Sequence, residues 1–177
     1  MKVFITGGTG LVGNNCIRLL EPNHEVHALV RAGHDPRPFQ GLNVTFHQGD
    51  LTELDKIPSF TPAADAIIHA AGDTHIGKRP RPIQRVVNVE ATAALALLAQ
   101  ERGSRFVFVS SVDALPAATN SQLVNELTPG GPKCDIGYVT TKRAAESNLL
   151  SRISTGLDGF IVNPGFMLGP WDWKPSS

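Results

Sequence analysis

The opening stretch, "KVFITGGTGLVGNN", limits what this chain can become more than any other. A short apolar, β-branched run turns at once into glycines three apart, Gly7, Gly10 and Gly13, and then into a helical pattern. A strand that feeds a helix through a glycine turn is the start of a βαβ unit. Gly7 allows the tight turn, Gly10 lets backbone approach a pyrophosphate, and Gly13 lets helix and strand pack closely. The helix N-terminus then offers free N–H groups and a positive dipole end to phosphates. An ordinary glycine-rich turn is the alternative, but this loop joins a strand to a helix with further strands downstream, which favours dinucleotide binding.

Those strands are "EVHALVR", "NVTFHQGD", "DAIIHAAG", "RFVFVSS" and "GFIVNPG". Each is short and nearly continuous in apolar character, as buried parallel strands are. Helical patterns lie between most of them. Val12, Cys16, Leu19 and Leu20 are expected on the inner face of the first helix, and Ile83, Val86, Val87, Ala94, Leu97 and Leu98 on that of a longer one. The alternation predicts an α/β fold, a Rossmann-type doubly wound parallel sheet with helices on both faces. A length of 177 residues suits one domain with a sizeable core. The stretch from Pro116 to Asp135 is polar and too long for an ordinary connection, so it reads as a functional loop or as disorder.

Several function classes recede. Acidic and basic residues balance at 16 each, so nothing points to nucleic acid or an anionic membrane surface. No apolar run could span a bilayer, and the start lacks the long apolar region of a signal peptide, which reads as a cytoplasmic start. Cys16 and Cys134 do not make a disulfide framework. The sequon at Asn43 falls on a strand and is set aside. His69 and His75 are six apart without a third ligand nearby, and read as a strand end and a loop residue rather than a metal site.

A second constellation lies farther along. "FVFVSSVDA" ends the fifth strand with Ser110 and Ser111, and "GYVTTK" opens the next helix with Tyr138 and Lys142. Residues four apart share one helix face. Ligands bind outside the C-terminal ends of parallel strands, so serine and tyrosine can face one crevice. A free tyrosine titrates near ~10, about three units too high for a base at neutral pH. A nearby ammonium and an oxidised nicotinamide would both favour phenolate, and closing the gap takes roughly 4 kcal/mol. Alone, the pair is also what a first-turn tyrosine on a lysine stem looks like, with Glu146 pairing Lys142 one turn later.

Glycine loop, strand-end serine and YxxxK, in that order, resemble the extended short-chain dehydrogenase/reductases. The loop is similar to their TGxxGxxG, and the ending "VNPGFMLGP" fits the NAD-dependent epimerase/dehydratase group, dihydroflavonol reductase-like and 3β-hydroxysteroid dehydrogenase-like. The resemblance covers essentially the whole chain. It implies a cofactor held by Gly7, Gly10, Leu11, Val12 and Gly13, by Asp50 and Leu51 at the adenine, and by Ala70, Ala71 and Gly72 beside ribose and pyrophosphate. It adds Asn163 and Pro164 after the sixth strand, and Tyr138 and Lys142, the lysine reaching the nicotinamide ribose. It implies Ser111, Tyr138, Lys142 and Asn88 as the catalytic set, with Ser110 as the fallback. Asp50 could instead cap a helix, with Thr52 competing for that role, and Asn88 could be a polar point on a mostly buried helix.

The second strand ends in "ALVRAGHD", where NAD-binding domains usually carry an acid for the ribose 2′-OH. Arg31 stands there and suits the 2′-phosphate of NADP. NAD is the alternative, with Arg31 a solvated strand end and Asp35 reaching back to the ribose. Extended members continue into a second domain that closes over the substrate. The resemblance therefore implies residues 1–170 as the NAD(P)-binding domain, and 171–177 as the start of a substrate-binding region that lies outside this chain. Three functions stay open: a carbonyl reductase, a nucleotide-sugar epimerase or dehydratase, and a non-catalytic dinucleotide-binding module. The substrate is a small molecule of unread identity, and subunit contacts of relatives through the fourth and fifth helices leave a homodimer open.

Overall fold

The computed structural model describes residues 1–77, 81–118, 123–131 and 134–173. Parts of the Pro116–Asp135 loop (119–122, 132 and 133) and of the expected substrate region (174–177) lie outside the described residues. The elements follow in chain order: β1 (Lys2–Thr6), α1 (Leu11–Leu20), β2 (Glu25–Val30), β3 (Val44–Gln48), α2 (Ile57–Phe60), β4 (Ala66–His69), α3 (Pro82–Arg85), α4 (Ala91–Arg102), β5 (Arg105–Val109), α5 (Gly137–Ser154) and β6 (Gly159–Val162). Six parallel strands form one sheet in the order β3-β2-β1-β4-β5-β6. The strand order reverses between β1 and β4, which opens a crevice at their C-terminal ends.

β1 sits mid-sheet, and alternation sends its side chains to two cores. Phe4 joins Ile67, Phe106 and Phe108 with Leu95 and Ala99 of α4 and Ala145 and Leu149 of α5. Val3 and Ile5 join Val26, Ala28 and Val30 with Ile17 of α1 and Phe39. Each such large side chain contributes roughly 1.5–3 kcal/mol by leaving water. The doubly wound reading therefore holds.

Three details depart from the sequence pattern. β3 and β6 are the sheet's edges, and Phe46, Phe160 and Val162 are exposed, so "NVTFHQGD" and "GFIVNPG" are not buried throughout. In α1 the buried positions are Gly13, Asn14 and Ile17, and Leu19 is 78% exposed. In the long helix the inner stripe runs through Gln84, Asn88, Ala91, Thr92, Leu95 and Ala99, while Ile83 and Leu97 face out. The cause there is a π turn at Val86–Glu90 between α3 and α4. Its wider turn breaks the 3.6-residue period, and three of the inner positions are polar.

Candidate functional site

The glycine loop and the loop after β4 meet at the reversal point. Gly7 has φ 77°, and a Cβ there would stand 2.6 Å from the backbone of Ala70 and Ala71, so only glycine fits. A Cβ on Gly13 would overlap the Gly7 carbonyl oxygen. Gly13 thus lets α1 lie against the loop itself, rather than merely against the strand. α1 begins at Leu11 with Gly10 as N-cap, no side-chain cap and no acid in the first turn. Its first N–H groups therefore face the crevice unclaimed by side chains, as an anion cradle requires. Behind the loop, buried Asn14 donates to Gly8 O (3.1 Å) and Pro38 O (2.8 Å) and accepts from Arg18 Nε. A buried asparagine inside a helix was the signal for this brace, which sequence reading passed over.

The other expected cofactor contacts lie along the same C-terminal edge. Arg31 follows β2 with its side chain exposed. Asp35, the alternative ribose partner, is gripped by Arg37 through Nε and Nη2 at 2.6–3.0 Å. Asp50 follows β3 and accepts from both the backbone N and the hydroxyl of Thr52, at 2.9 Å each. It therefore caps a turn with Thr52 as its partner, and Leu51 beside it is buried in the core.

Ser111, Tyr138, Lys142, Asn88 and Gly72 come together past the ends of β4 and β5. Ser111 is 8% exposed, caps the short turn Val112–Ala114 and takes the N–H of Asp113 on its hydroxyl. It also acts on the Tyr138 hydroxyl, pulling it down. Ser110 is buried, and its hydroxyl finds no partner among the described residues. Lys142 is 4% exposed. Its ammonium donates to Val109 O at 2.8 Å, lies 4.6 Å from the Phe108 ring centre, and would be 3.3 Å from a Cβ on Gly72. Burial pulls Lys142 down to about 8, against an upward pull from Glu146.

Tyr138 departs from expectation. Burial pushes its hydroxyl above the usual phenol value, opposed by Ser111. The ammonium is aimed at Val109 O and sits 6.0 Å from the Tyr138 ring centre, so it does not offset desolvation. Tyr138 is therefore a neutral phenol in the protein alone, suited to giving a proton. Glu146 is not within ion-pair distance of Lys142; it binds Arg143 and Asn163 instead.

Asn88 sits in the π turn and is 1% exposed. It accepts from Asp73 N (2.8 Å) and donates to Asp73 O (3.0 Å) and Thr141 Oγ1 (3.0 Å), which fixes the loop after Gly72 onto α5. Asn163 donates to Ser111 O at 2.9 Å, and Pro164 O accepts from Val112 N at 2.9 Å, so both brace the serine turn. His69 is fully buried between Thr6 and Thr92 and held near 3 by burial and the nearby Lys142 charge. No cluster of three or more metal-ligating side chains exists among the described residues. No helix of the described residues is long and apolar enough to cross a membrane. The segment after β6 folds back on α1: Arg18 lies over the Trp171 ring at 3.6 Å, and Asn15 donates to Pro170 O at 3.0 Å.

Glycine cradle, uncapped helix start, partnerless Ser110 hydroxyl and buried ammonium fit a dinucleotide. Comparison with known proteins agrees. The family model for the NAD dependent epimerase/dehydratase family matches residues 3–177. A Synechocystis sp. protein named "Putative dihydroflavonol 4-reductase" is 35% identical over 98% of this chain and 51% of its own length. A Mycobacterium tuberculosis 3 beta-hydroxysteroid dehydrogenase/Delta 5-->4-isomerase is 30% identical over 91% of this chain and 45% of its own. The crystal structure of gox2253 superposes with a TM-score of 0.79 at 33% identity, over 92% of this chain and 50% of that one. The chain spans about half the length of the curated relatives it matches.

Proposed function

The chain belongs to the NAD dependent epimerase/dehydratase family, a family of NAD(P)-dependent oxidoreductases and epimerases, and from that membership we propose that it carries the cofactor and proton-transfer half of an NADPH-dependent carbonyl reductase. The observation that carries the reading is that the buried Lys142 ammonium stands 6.0 Å from the Tyr138 ring, past the strand end that carries Ser111. When bound, NADPH supplies the hydride. Gly7, Gly10, Leu11, Val12 and Gly13 would hold its pyrophosphate, Asp50 and Leu51 its adenine, and Ala70, Ala71 and Gly72 the ribose side. Arg31 would hold the 2′-phosphate.

Tyr138 gives its phenolic proton to the oxygen of the reduced carbonyl. Ser111 donates to the same oxygen and steadies the charge that gathers there. Lys142 would reach the nicotinamide ribose and keep a positive charge in the crevice that Tyr138 faces. Asn88, Asn163 and Pro164 keep the loops in register without touching the reacting atoms. NADPH is preferred over NADH because Arg31 is exposed at the strand end while Arg37 occupies Asp35. The substrate is a small molecule that carries a carbonyl group.

Tyr138→Phe tests this. It should lower turnover at least ~100-fold while leaving NADPH affinity within about twofold. Wild-type protein that binds NADPH but reduces no carbonyl compound would favour a binding module. Protein that copurifies with tightly held NAD would favour an epimerase or dehydratase.

A further inference from the structure

Glu146 lies one turn beyond Lys142 on α5 and is 3% exposed. A carboxylate so removed from water is costly unless both oxygens are engaged, and here both are. Oε1 accepts from Asn163 Nδ2 at 2.5 Å, and the other N–H of that amide goes to the Ser111 carbonyl at 2.9 Å. Oε2 faces Arg143 Nη1 at 3.3 Å, and Arg143 Nη2 donates to the Gly130 carbonyl at 3.0 Å. Gly130 has φ 141°, and a Cβ there would press within 3.2 Å of Pro116 Cγ. Arg143 thus grips the neck where the two ends of the long loop meet.

We propose that Glu146 is a positioning residue of the reductive site. Through Asn163 it fixes Ser111, through Arg143 it fixes the loop neck at Gly130, and it sets a negative charge one turn behind the Lys142 ammonium. The inference rests on the reductase reading, since it names what holds that reading's serine and lysine in place. None of these three roles belongs to a merely filled core position. An apolar side chain of the same size would leave the second Asn163 N–H and the Arg143 guanidinium without their acceptor.

The charge role follows from what surrounds Lys142. On its own helix it meets Tyr138, a neutral phenol, and Glu146. From β4 comes His69, held neutral. From β5 come the Phe108 ring and the Val109 carbonyl, and from the β4 loop and the long helix come Gly72 and Asn88. Burial works against the ammonium, and Glu146 is the charge that works for it.

The test is an NMR titration of the Lys142 side chain in ¹⁵N-lysine-labelled protein, which needs neither substrate nor turnover. Wild type should titrate near 8. Glu146→Gln should move that midpoint down by at least about half a pH unit, and Glu146→Asp should restore most of it. Arg143→Gln keeps the carboxylate, so it should not lower the midpoint, but it should speed amide exchange around Gly130 at least ~10-fold. A Glu146→Gln protein with the wild-type midpoint overturns the charge role. Unchanged exchange around Gly130 in Arg143→Gln overturns the tether, also if Glu146→Gln does not fold. A fluorescence titration with NADPH on the same samples separates the two readings: wild type that ignores NADPH sinks the reductase, while the Lys142 midpoints still decide the role of Glu146.

Discussion

Acidifying the protein from pH 7 to pH 5 should cost the fold about 2 kcal/mol through His69 alone. The ring is fully buried, with Nδ1 2.6 Å from Thr6 Oγ1 and Nε2 2.9 Å from Thr92 Oγ1. Thr92 gives its one hydroxyl proton to Asn88 O at 2.8 Å, so it can only accept from the ring, and the proton sits on Nε2. Nδ1 is then the acceptor, Thr6 donates to it, and Thr6 in turn takes the Ala71 N–H at 3.3 Å. A second proton on the ring would break that order in a site walled by Phe106 and Phe108 and close to the Lys142 charge. The folded ring accordingly resists protonation until about 3, against 6.5 when free. The unfolded chain binds a proton over that window and the folded chain does not, so stability present above 6.5 is lost as the pH falls toward 3. The whole gap is worth about 5 kcal/mol at ~1.36 kcal/mol per pH unit, and by pH 5 about 2 kcal/mol of it has gone. Urea unfolding of wild type and His69→Gln at pH 7, 6 and 5 measures it. Glutamine cannot titrate, and His47, which burial also depresses, is common to both proteins. At a slope of 1–3 kcal/mol/M for small proteins, a ~2 kcal/mol difference moves the urea midpoint by roughly 1 M. Parallel loss of stability in both proteins would show that His69 protonates freely in the fold.

The rate of carbonyl reduction should fall as the pH rises through about 8, because Lys142 loses its charge there; a pH profile of kcat checks it, and a flat profile up to pH 10 would be the contrary result. Gly13→Ala drives a methyl into the Gly7 carbonyl, so it should weaken NADPH binding at least ~10-fold and lower thermal stability by roughly 1–3 kcal/mol, read by fluorescence titration and calorimetry. Arg31→Glu should turn the coenzyme preference from NADPH toward NADH by at least about tenfold in the ratio of dissociation constants.

The glycine loop, strand-end serines and YxxxK were readable because each is a local pattern tied to a strand end or a helix start. The doubly wound parallel sheet followed from alternation of the elements. What the pattern hid was set by tertiary packing. The π turn rotates the inner stripe of the long helix, so Ile83 and Leu97 look like core residues and Gln84 and Asn88 do not. Edge position cannot be read from β3 or β6, whose apolar runs match those of the central strands. The ionisation of Tyr138 was misjudged because spacing puts Lys142 on the same face but does not say where its ammonium points, which is at Val109 O. Asn14, Thr6, Thr92 and Glu146 carry no motif, and their roles depend on partners distant in sequence.

The position of β1 between β2 and β4 also governs how the chain can reach its fold. The Thr6–His69 contact closes a loop of 63 residues, and the β1–β4 pairing is what joins the two halves of the sheet. On a ribosome, the glycine loop leaves the tunnel long before the strand that completes its floor. Until β4 arrives, one edge of β1 stays open and Phe4 lacks the Ile67, Phe106 and Phe108 side of its core. Closing such a long parallel crossover costs chain entropy before any contact repays it. Refolding should therefore be paced by β4 docking, and cofactor affinity should emerge only with that step.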